Sequence, residues 1–468
     1  MRAGLLLLND HPQRWDARSP CLSHDITQPR PCGKAPWPIH PCGRLLPRSH
    51  ETTVSMRVLL STIGSRGDVQ PLVALGLELK ELGQDVRMCV PPDFRGWIEG
   101  LGIAVIPIGP ELRSAAQPQA AGAVPTPEQR RQMMEGTVTA QFDTIAVAAE
   151  GCDLILGATA LQIAAPSIAE KLGIPYVFAA FCPAVLPSPH HAPPVLAMLG
   201  DAPALATTEY GKLWDQDARR WNEMWASLLN VHRAGLGLAS IADVRRHVLT
   251  ERPWLAADPI LAPWPEPGDP AVFQTGAWVL ADERPLAAEL EAFLNAGDPP
   301  VYFGFGSMQV AEGLGETLVA SARAFGRRAI VSRGWAGLSL PEDEPDCLTI
   351  GEVNQQALFR RVAAVVHHGG AGTTTAAARA GAPQVIIPQR YDQHYFAARV
   401  RHLGIGVAHA PGEPSADSLM RALEQALEPE MAARARAFAP SVRSDGAQVA
   451  ARRLLACVPS SSTGGLER

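Results

Sequence analysis

No uninterrupted apolar run in this 468-residue chain approaches the ~20 residues that a membrane-spanning helix needs. Basic residues are not in excess. Lys and Arg number 41 against 47 Asp and Glu, the net charge is −6 and the pI is near 6.1, so the electrostatic footprint of a nucleic-acid binder is missing. The eight cysteines, at 21, 32, 42, 89, 152, 182, 347 and 457, contain no CxxC pair, which argues against a disulfide frame or a zinc site and for reduced thiols in a cytoplasmic protein. The dinucleotide fingerprint GxGxxG is absent as well. Its nearest approximations, GFGSMQ and GAGTTT, both lack the third glycine, and a nicotinamide oxidoreductase is disfavoured accordingly.

What is present is a folded-protein composition, 47% apolar and 19% charged, in a chain long enough for two cores. Residues 1–55 stand apart, with eight prolines, four histidines, three cysteines and no periodic apolar face. They read as a disordered leader or a mis-assigned start, with Met56 opening the folded chain. From there strand-like and helix-like segments alternate. RVLLSTI (57–63) is followed by a helix expected to open at Pro71, with Leu72, Leu75, Leu79 and Leu82 on one face, ending at Gly83. DVRMCVP (85–91), IAVIPIG (103–109), DLILGA (153–158) and PYVFAAF (175–181) continue the rhythm, with 111–135 as a mobile loop plus helix. A Pro-rich stretch at 262–270 precedes a second alternating block: 300–307, 327–334, 347–352, 362–368 and 383–389. Residues 414–457 read as helical, packing on the second domain and reaching back towards the first. The expectation is an α/β protein of two facing Rossmann-like domains, 56–278 and 279–458, with parallel sheets, a cleft between them and a disordered tail over 459–468.

The richest chemistry lies between Val362 and Gln393. An apolar strand ends in His367 and His368, turns through Gly369, Gly370 and Gly372 with Thr373, Thr374 and Thr375, and enters an Ala-rich helix. Free N–H groups and a positive dipole at a helix N-terminus, together with hydroxyl donors, suit a diphosphate without metal. Close packing of small residues is the plainer alternative. In GSRGDVQP (64–71), Asp68 is placed either to take a proton from an attacking hydroxyl or merely to cap a helix. Arg66 can pair with carboxylates. GFGSM puts Ser307 at a strand end where it can reach phosphate. Asp392 and Gln393 follow the strand at 383–389 and offer acceptors and donors for sugar hydroxyls, with an N-cap role for Asp392 as the rival. Asp215-Gln216-Asp217 resembles a metal-binding DxD but falls in a helical segment and reads as a solvated face. No metal is expected.

These motifs, with RMCVPPDF, AEKLGIPY, WLAADPILAP, QTGAW, SRGW and IGEVNQQALF, resemble a family 1 glycosyltransferase of the UDP-glycosyltransferase superfamily. The likeness runs from Met56 to about Val458 and is closest to the bacterial branch acting on glycopeptide antibiotic aglycones, with sterol and rhamnolipid glycosyltransferases as relatives. It implies the GT-B fold and inverting, metal-independent hexose transfer from a nucleotide diphosphate sugar, UDP-glucose foremost, to a hydroxyl of an aromatic or lipophilic small molecule. The nucleotide sugar is then a co-substrate rather than a cofactor. No nucleic-acid partner is expected, and peripheral membrane contact only if the acceptor is a lipid.

By the same resemblance Asp68 is the general base. Ser307, His368, Gly370 and Thr373 meet the diphosphate, Val353 the nucleobase, and Asp392 with Gln393 the sugar; Ser65, Arg66, His367, Gly372 and Thr374 form a second tier. Plant members carry a Trp for base stacking where this chain has Glu352. Residues 183–194, including His190 and His191, and the helix face with Trp221 and Trp225 are expected near the acceptor, though core packing explains that face equally well. A non-catalytic nucleotide-sugar-binding auxiliary protein is the alternative.

Overall fold

A computed structural model describes residues 55–113, 126–159, 161–194, 209–266, 271–308, 313–335, 337–338, 345–390, 392–410 and 414–457. The expected leader, apart from Ser55, the tail from 459 onward and part of the loop at 111–135 lie outside them. Two parallel sheets organise the described chain. The first has seven strands, β1 (Arg57–Ser61), β2 (Asp85–Val90), β3 (Ala104–Pro107), β4 (Leu154–Ala158), β5 (Tyr176–Ala180), β6 (Trp254–Leu255) and β7 (Phe273–Gln274), in the order β3-β2-β1-β4-β5-β6-β7. The second has six: β8 (Val301–Gly304), β9 (Ala329–Ser332), β10 (Cys347–Ile350), β11 (Ala364–His367), β12 (Gln384–Ile386) and β13 (Gly406–Ala408), in the order β10-β9-β8-β11-β12-β13. In each, strand order reverses beside the first strand of the half, where α/β sheets open a crevice at their carboxyl edges.

Helices cover both faces of the sheets, and six position the site: α1 (Arg66–Glu81), α2 (Pro127–Ala148), α3 (Tyr210–Gly235), α4 (Ala371–Ala380), α5 (Gln393–His402) and α6 (Gly446–Leu455). The expected start of α1 at Pro71 is corrected. The helix begins at Arg66, because Ser65 and Asp68 close its first turn, and Pro71 lies inside it. A proline there has no N–H to give the carbonyl four residues back, so Gly67 loses that bond; both residues face the cleft.

The strands of the first sheet end at Gln274 and those of the second begin at Val301, and the last helix crosses back over that divide. After the second half is complete, α6 returns to the first. Ala447, Ala450, Ala451 and Leu454 are buried in one core with Leu72, Leu75 and Leu79 of α1. Gly446 lies so close to Gly276 and Ala277 that a Cβ there would sit 2.4 Å from their backbone atoms. Hydrogen bonds join the halves too: Asp258 accepts from the Arg443 amide at 2.8 Å, and Arg399 Nε donates to the Leu261 carbonyl at 3.0 Å. Ile386, Tyr395 and Phe396 share a core with Phe178, Trp225 and Leu261, so the halves are joined by apolar packing as well.

Candidate active site

The carboxyl edges of both sheets face one cleft of about 3060 Å³. From the first half, the β1–α1 turn delivers Asp68. The Ser65 amide donates to Asp68 Oδ2 at 2.7 Å and the Ser65 hydroxyl lies 3.4 Å from the same oxygen. Gly64 is needed here: a Cβ would sit 2.0 Å from Oδ2. Burial pushes the Asp68 carboxyl up to about 6, only partly offset by the Ser65 bonds. Helix capping and cleft exposure therefore coexist in one side chain, since one oxygen closes the helix turn while the carboxyl lines the cleft.

From the second half, β11 ends at His367 and the chain turns through His368, Gly369 and Gly370 into α4. Gly369 has φ +95°, and a Cβ at Gly370 would fall 2.6 Å from His368 Nε2. The His368 ring thus lies against the helix N-terminus. It is half-buried, its Nδ1 is buried with no hydrogen-bond partner among the described residues, and desolvation lowers its pKa to about 4. A neutral imidazole still offers one N–H. The first helical bond of α4 is Thr374 N to Gly370 O, so the amides of Ala371, Gly372 and Thr373 have no partner within the helix and face an anion-accepting pole. Thr373, Thr375, Gly370, Gly372, Ser307 and Val353 all line the cleft.

Asp392 precedes α5 and makes no side-chain capping bond to the described residues of that helix. Its carboxyl is pushed up to about 7, first by burial and then by the negative charge of Asp68. Two carboxyl groups from opposite halves are thereby brought within electrostatic reach. Gln393 beside it accepts from the Gln389 and Arg390 amides at 2.8 and 3.1 Å, and its Nε2 lies 3.5 Å from Met308 Sδ. Its carbonyl is spent on the turn, and the amide N–H groups are what it can offer a ligand.

Several expected residues sit elsewhere. His367 is fully buried on the opposite side of the strand from His368, with Nε2 3.0 Å from Gln384 Oε1 and Nδ1 accepting from Gly369 N at 3.1 Å. It shapes the turn from behind, because successive strand residues point to opposite faces. Thr374 is also fully buried and gives its hydroxyl to the Gly370 carbonyl at 2.9 Å. His190 pairs with Glu266 at 3.3 Å, while His191 is buried edge-on against Trp214 and Trp264; neither lines the cleft. Trp221 and Trp225 do line it, yet are only 6% and 4% exposed, so packing and cleft lining are two sides of the same rings.

Asp217 corrects the solvated-face reading. It is buried, paired with Arg220 and with Arg245 Nη1 at 3.1 Å, and lines the cleft with both. Of the two carboxylates, only Asp215 faces solvent. Arg66 points away from a simple phosphate role: its guanidinium lies 3.8 Å over the Trp97 ring and reaches Glu352 at 3.5 Å. Thr159, which sequence reasoning passed over, lines the cleft with φ +74°, a conformation that costs a β-branched residue strain and that no local sequence signal betrays. Among the described residues, no group of three or more His, Cys, Asp or Glu side chains is placed to hold a metal ion.

Comparison with known proteins places the chain by family and fold. Residues 58–188 match the glycosyltransferase family 28 N-terminal domain, and residues 337–448 match the C-terminal domain described as erythromycin biosynthesis protein CIII-like. Glycosyltransferase GtfE and vancomycin aglycone glucosyltransferase, both of Amycolatopsis orientalis, are each 50% identical over 86% of this chain and 98% of their own length. A dTDP-epi-vancosaminyltransferase of the same organism is 42% identical over 81% and 92%. Among solved structures, the glycosyltransferase of kitacinnamycin superposes with a TM-score of 0.63 at 19% identity, covering 86% of this chain and all of that one. VinC in complex with dTDP gives 0.61 at 20%, covering 86% and 99%.

Proposed function

The chain belongs to the glycosyltransferases of the GT-B fold, and from that premise we propose that it moves glucose from UDP-glucose, with inversion and without metal, to a phenolic hydroxyl of a glycopeptide-type aglycone. The observation that carries this reading is the pairing, across one cleft, of Asp68 with the α4 N-terminus and His368. The name of one of the two relatives at 50% identity, vancomycin aglycone glucosyltransferase, supports the acceptor and the sugar. The five described cysteines form no disulfide with one another, which fits a cytoplasmic reaction.

Asp68 takes the proton of the acceptor hydroxyl as its oxygen attacks the anomeric carbon. The bond from that carbon to the diphosphate breaks on the opposite face, and nucleoside diphosphate leaves. Charge growing on the diphosphate is met by the amides of residues 371–373, the Thr373 hydroxyl and the neutral His368 ring, donors fixed before the reaction starts. Asp392 and the Gln393 amide are assigned to the sugar hydroxyls. Ser307 contacts a phosphate and Val353 the base edge. A carboxyl held near 6 is ionised at neutral pH and is a stronger base than an ordinary aspartate.

The test is transfer to a glycopeptide aglycone with UDP-glucose, other UDP-hexoses and dTDP-deoxysugars, with and without EDTA, reading product mass and anomeric configuration. β-Glucoside formed from UDP-glucose in EDTA supports every part of the reading. A dTDP sugar used in preference changes the donor, and an α product or loss of transfer in EDTA refutes the mechanism.

A further inference from the structure

One group of contacts across the cleft is left unused by the chemistry above. Arg66 opens α1 two residues before Asp68. Its guanidinium lies over Trp97, 3.8 Å from the ring centroid, and Nε donates to Gln70 Oε1 at 3.0 Å. From that anchored position Nη1 reaches across to Glu352 Oε2, 3.5 Å away in the other half. Nearby, Phe94 of the first half stacks on Trp335 of the second, with centroids 6.1 Å apart and planes inclined by 26°. Both contacts link the β1–α1 and 92–97 region to the loops that follow β9 and β10. Glu352 immediately precedes Val353, the residue assigned to the nucleobase.

We propose that Arg66 is a positioning residue, a strut that carries closure of the nucleobase end of the donor site to the loop holding Asp68. This rests on the donor site proposed above. Trp97 and Gln70 fix the base of the strut, so a shift of the Glu352 loop is passed to the first turn of α1 rather than absorbed by a free side chain. The Glu352 carboxylate is largely exposed, with its side chain 63% accessible. A pair of that kind is weak and salt-screened, which suits a contact that must open at every turnover to release product.

A direct phosphate ligand and a strut respond differently to Glu352. If Arg66 held phosphate, removing the Glu352 charge would leave donor binding intact or tighten it. If Arg66 is a strut, losing either end has the same consequence. The experiment compares Arg66→Met, Glu352→Gln and the double variant with the unaltered protein, measuring kcat and KM for the donor, the dissociation constant for UDP, the share of donor lost to hydrolysis, and small-angle scattering of the free proteins.

The expected result is a loss of about 5- to 10-fold in kcat/KM for Arg66→Met, the scale of one exposed pair with one cation–π contact, and of about 2- to 5-fold for Glu352→Gln, which removes the pair alone. The double variant is no worse than the worse single one, the hydrolysed share rises, and the radius of gyration grows. Additive losses overturn the proposal. So does weaker UDP binding confined to Arg66→Met, which marks a phosphate contact, and so do three variants with unchanged kinetics. If the unaltered protein binds no nucleotide sugar, the donor site itself fails, while the scattering comparison still decides whether Arg66 and Glu352 hold the halves together.

Discussion

Replacing Asp68 by asparagine should stabilise the free protein while removing its activity. The carboxyl lies half-buried in the cleft wall and is held at about 6 against an ordinary 3.8. Once ionised, that displacement costs the folded state about 3 kcal/mol. Asparagine keeps an oxygen for the Ser65 amide and gives up only the favourable charge in the first turn of α1, worth roughly 0.3–1 kcal/mol. A net gain of about 2 kcal/mol is expected at pH 8. The sign with pH follows from where protons sit. Between 3.8 and about 6 the folded protein holds the Asp68 proton more often than the unfolded chain does, so the wild-type protein loses stability as pH rises through that window. The gain from Asp68→Asn is therefore complete above about pH 6 and shrinks as pH falls towards 4. Urea midpoints of both proteins at pH 4, 6 and 8 measure it, alongside transfer rates expected to fall by ~10²–10⁴. An asparagine variant less stable than wild type at pH 8, or one whose advantage persists unchanged at pH 4, would refute a desolvated carboxyl.

Transfer should rise with pH as the facing carboxyls ionise, with apparent pKa values in the range of about 6 to 7 belonging to Asp68 and Asp392 together; a profile flat from pH 5 to 8 contradicts this. Gly64→Ala should displace the Asp68 carboxylate and cut transfer on the order of 10²-fold with UDP affinity unchanged by calorimetry. His368→Ala should weaken UDP binding about 10-fold or more. Because the His368 ring is already neutral well below pH 6, wild-type affinity should owe no pH dependence to it between 6 and 8. Trp225→Ala should cost about 3–5 kcal/mol in a denaturant titration, as expected for an aromatic ring 4% exposed in a core.

The parallel-sheet halves are legible because buried parallel strands read as apolar runs, and 57–63, 153–158, 362–368 and 383–389 all contain strands. β6, β7 and β13 are not: two or three residues carry no period, and their pairing depends on neighbours far along the chain. Spacing locates Asp68, His368 and Asp392 at strand–helix junctions, but not which of two adjacent histidines faces the cleft. That is decided by the side of β11 each occupies, and His367 turns inward to Gln384. The solvated-face reading of Asp217 fails because its arginine partners include one 28 residues away, beyond any local window. Arg66 meeting Glu352, 286 residues on, is the same limit at its extreme.

The return of α6 to the first half bears on how enzymes of this shape can be recombined. A hybrid cut only near residue 278, joining the first half of one parent to the second half of another, would lay a foreign α6 against α1. Ala447, Ala450 and Leu454 would then meet leucines they were not selected beside, directly behind the helix whose first turn holds Asp68. A compatible exchange takes two crossovers, one near 278 and one between 442 and 446, so that the closing helix travels with the half it seals. The unit of inheritance in this molecule is therefore discontinuous, and its last helix belongs, in packing terms, to its beginning.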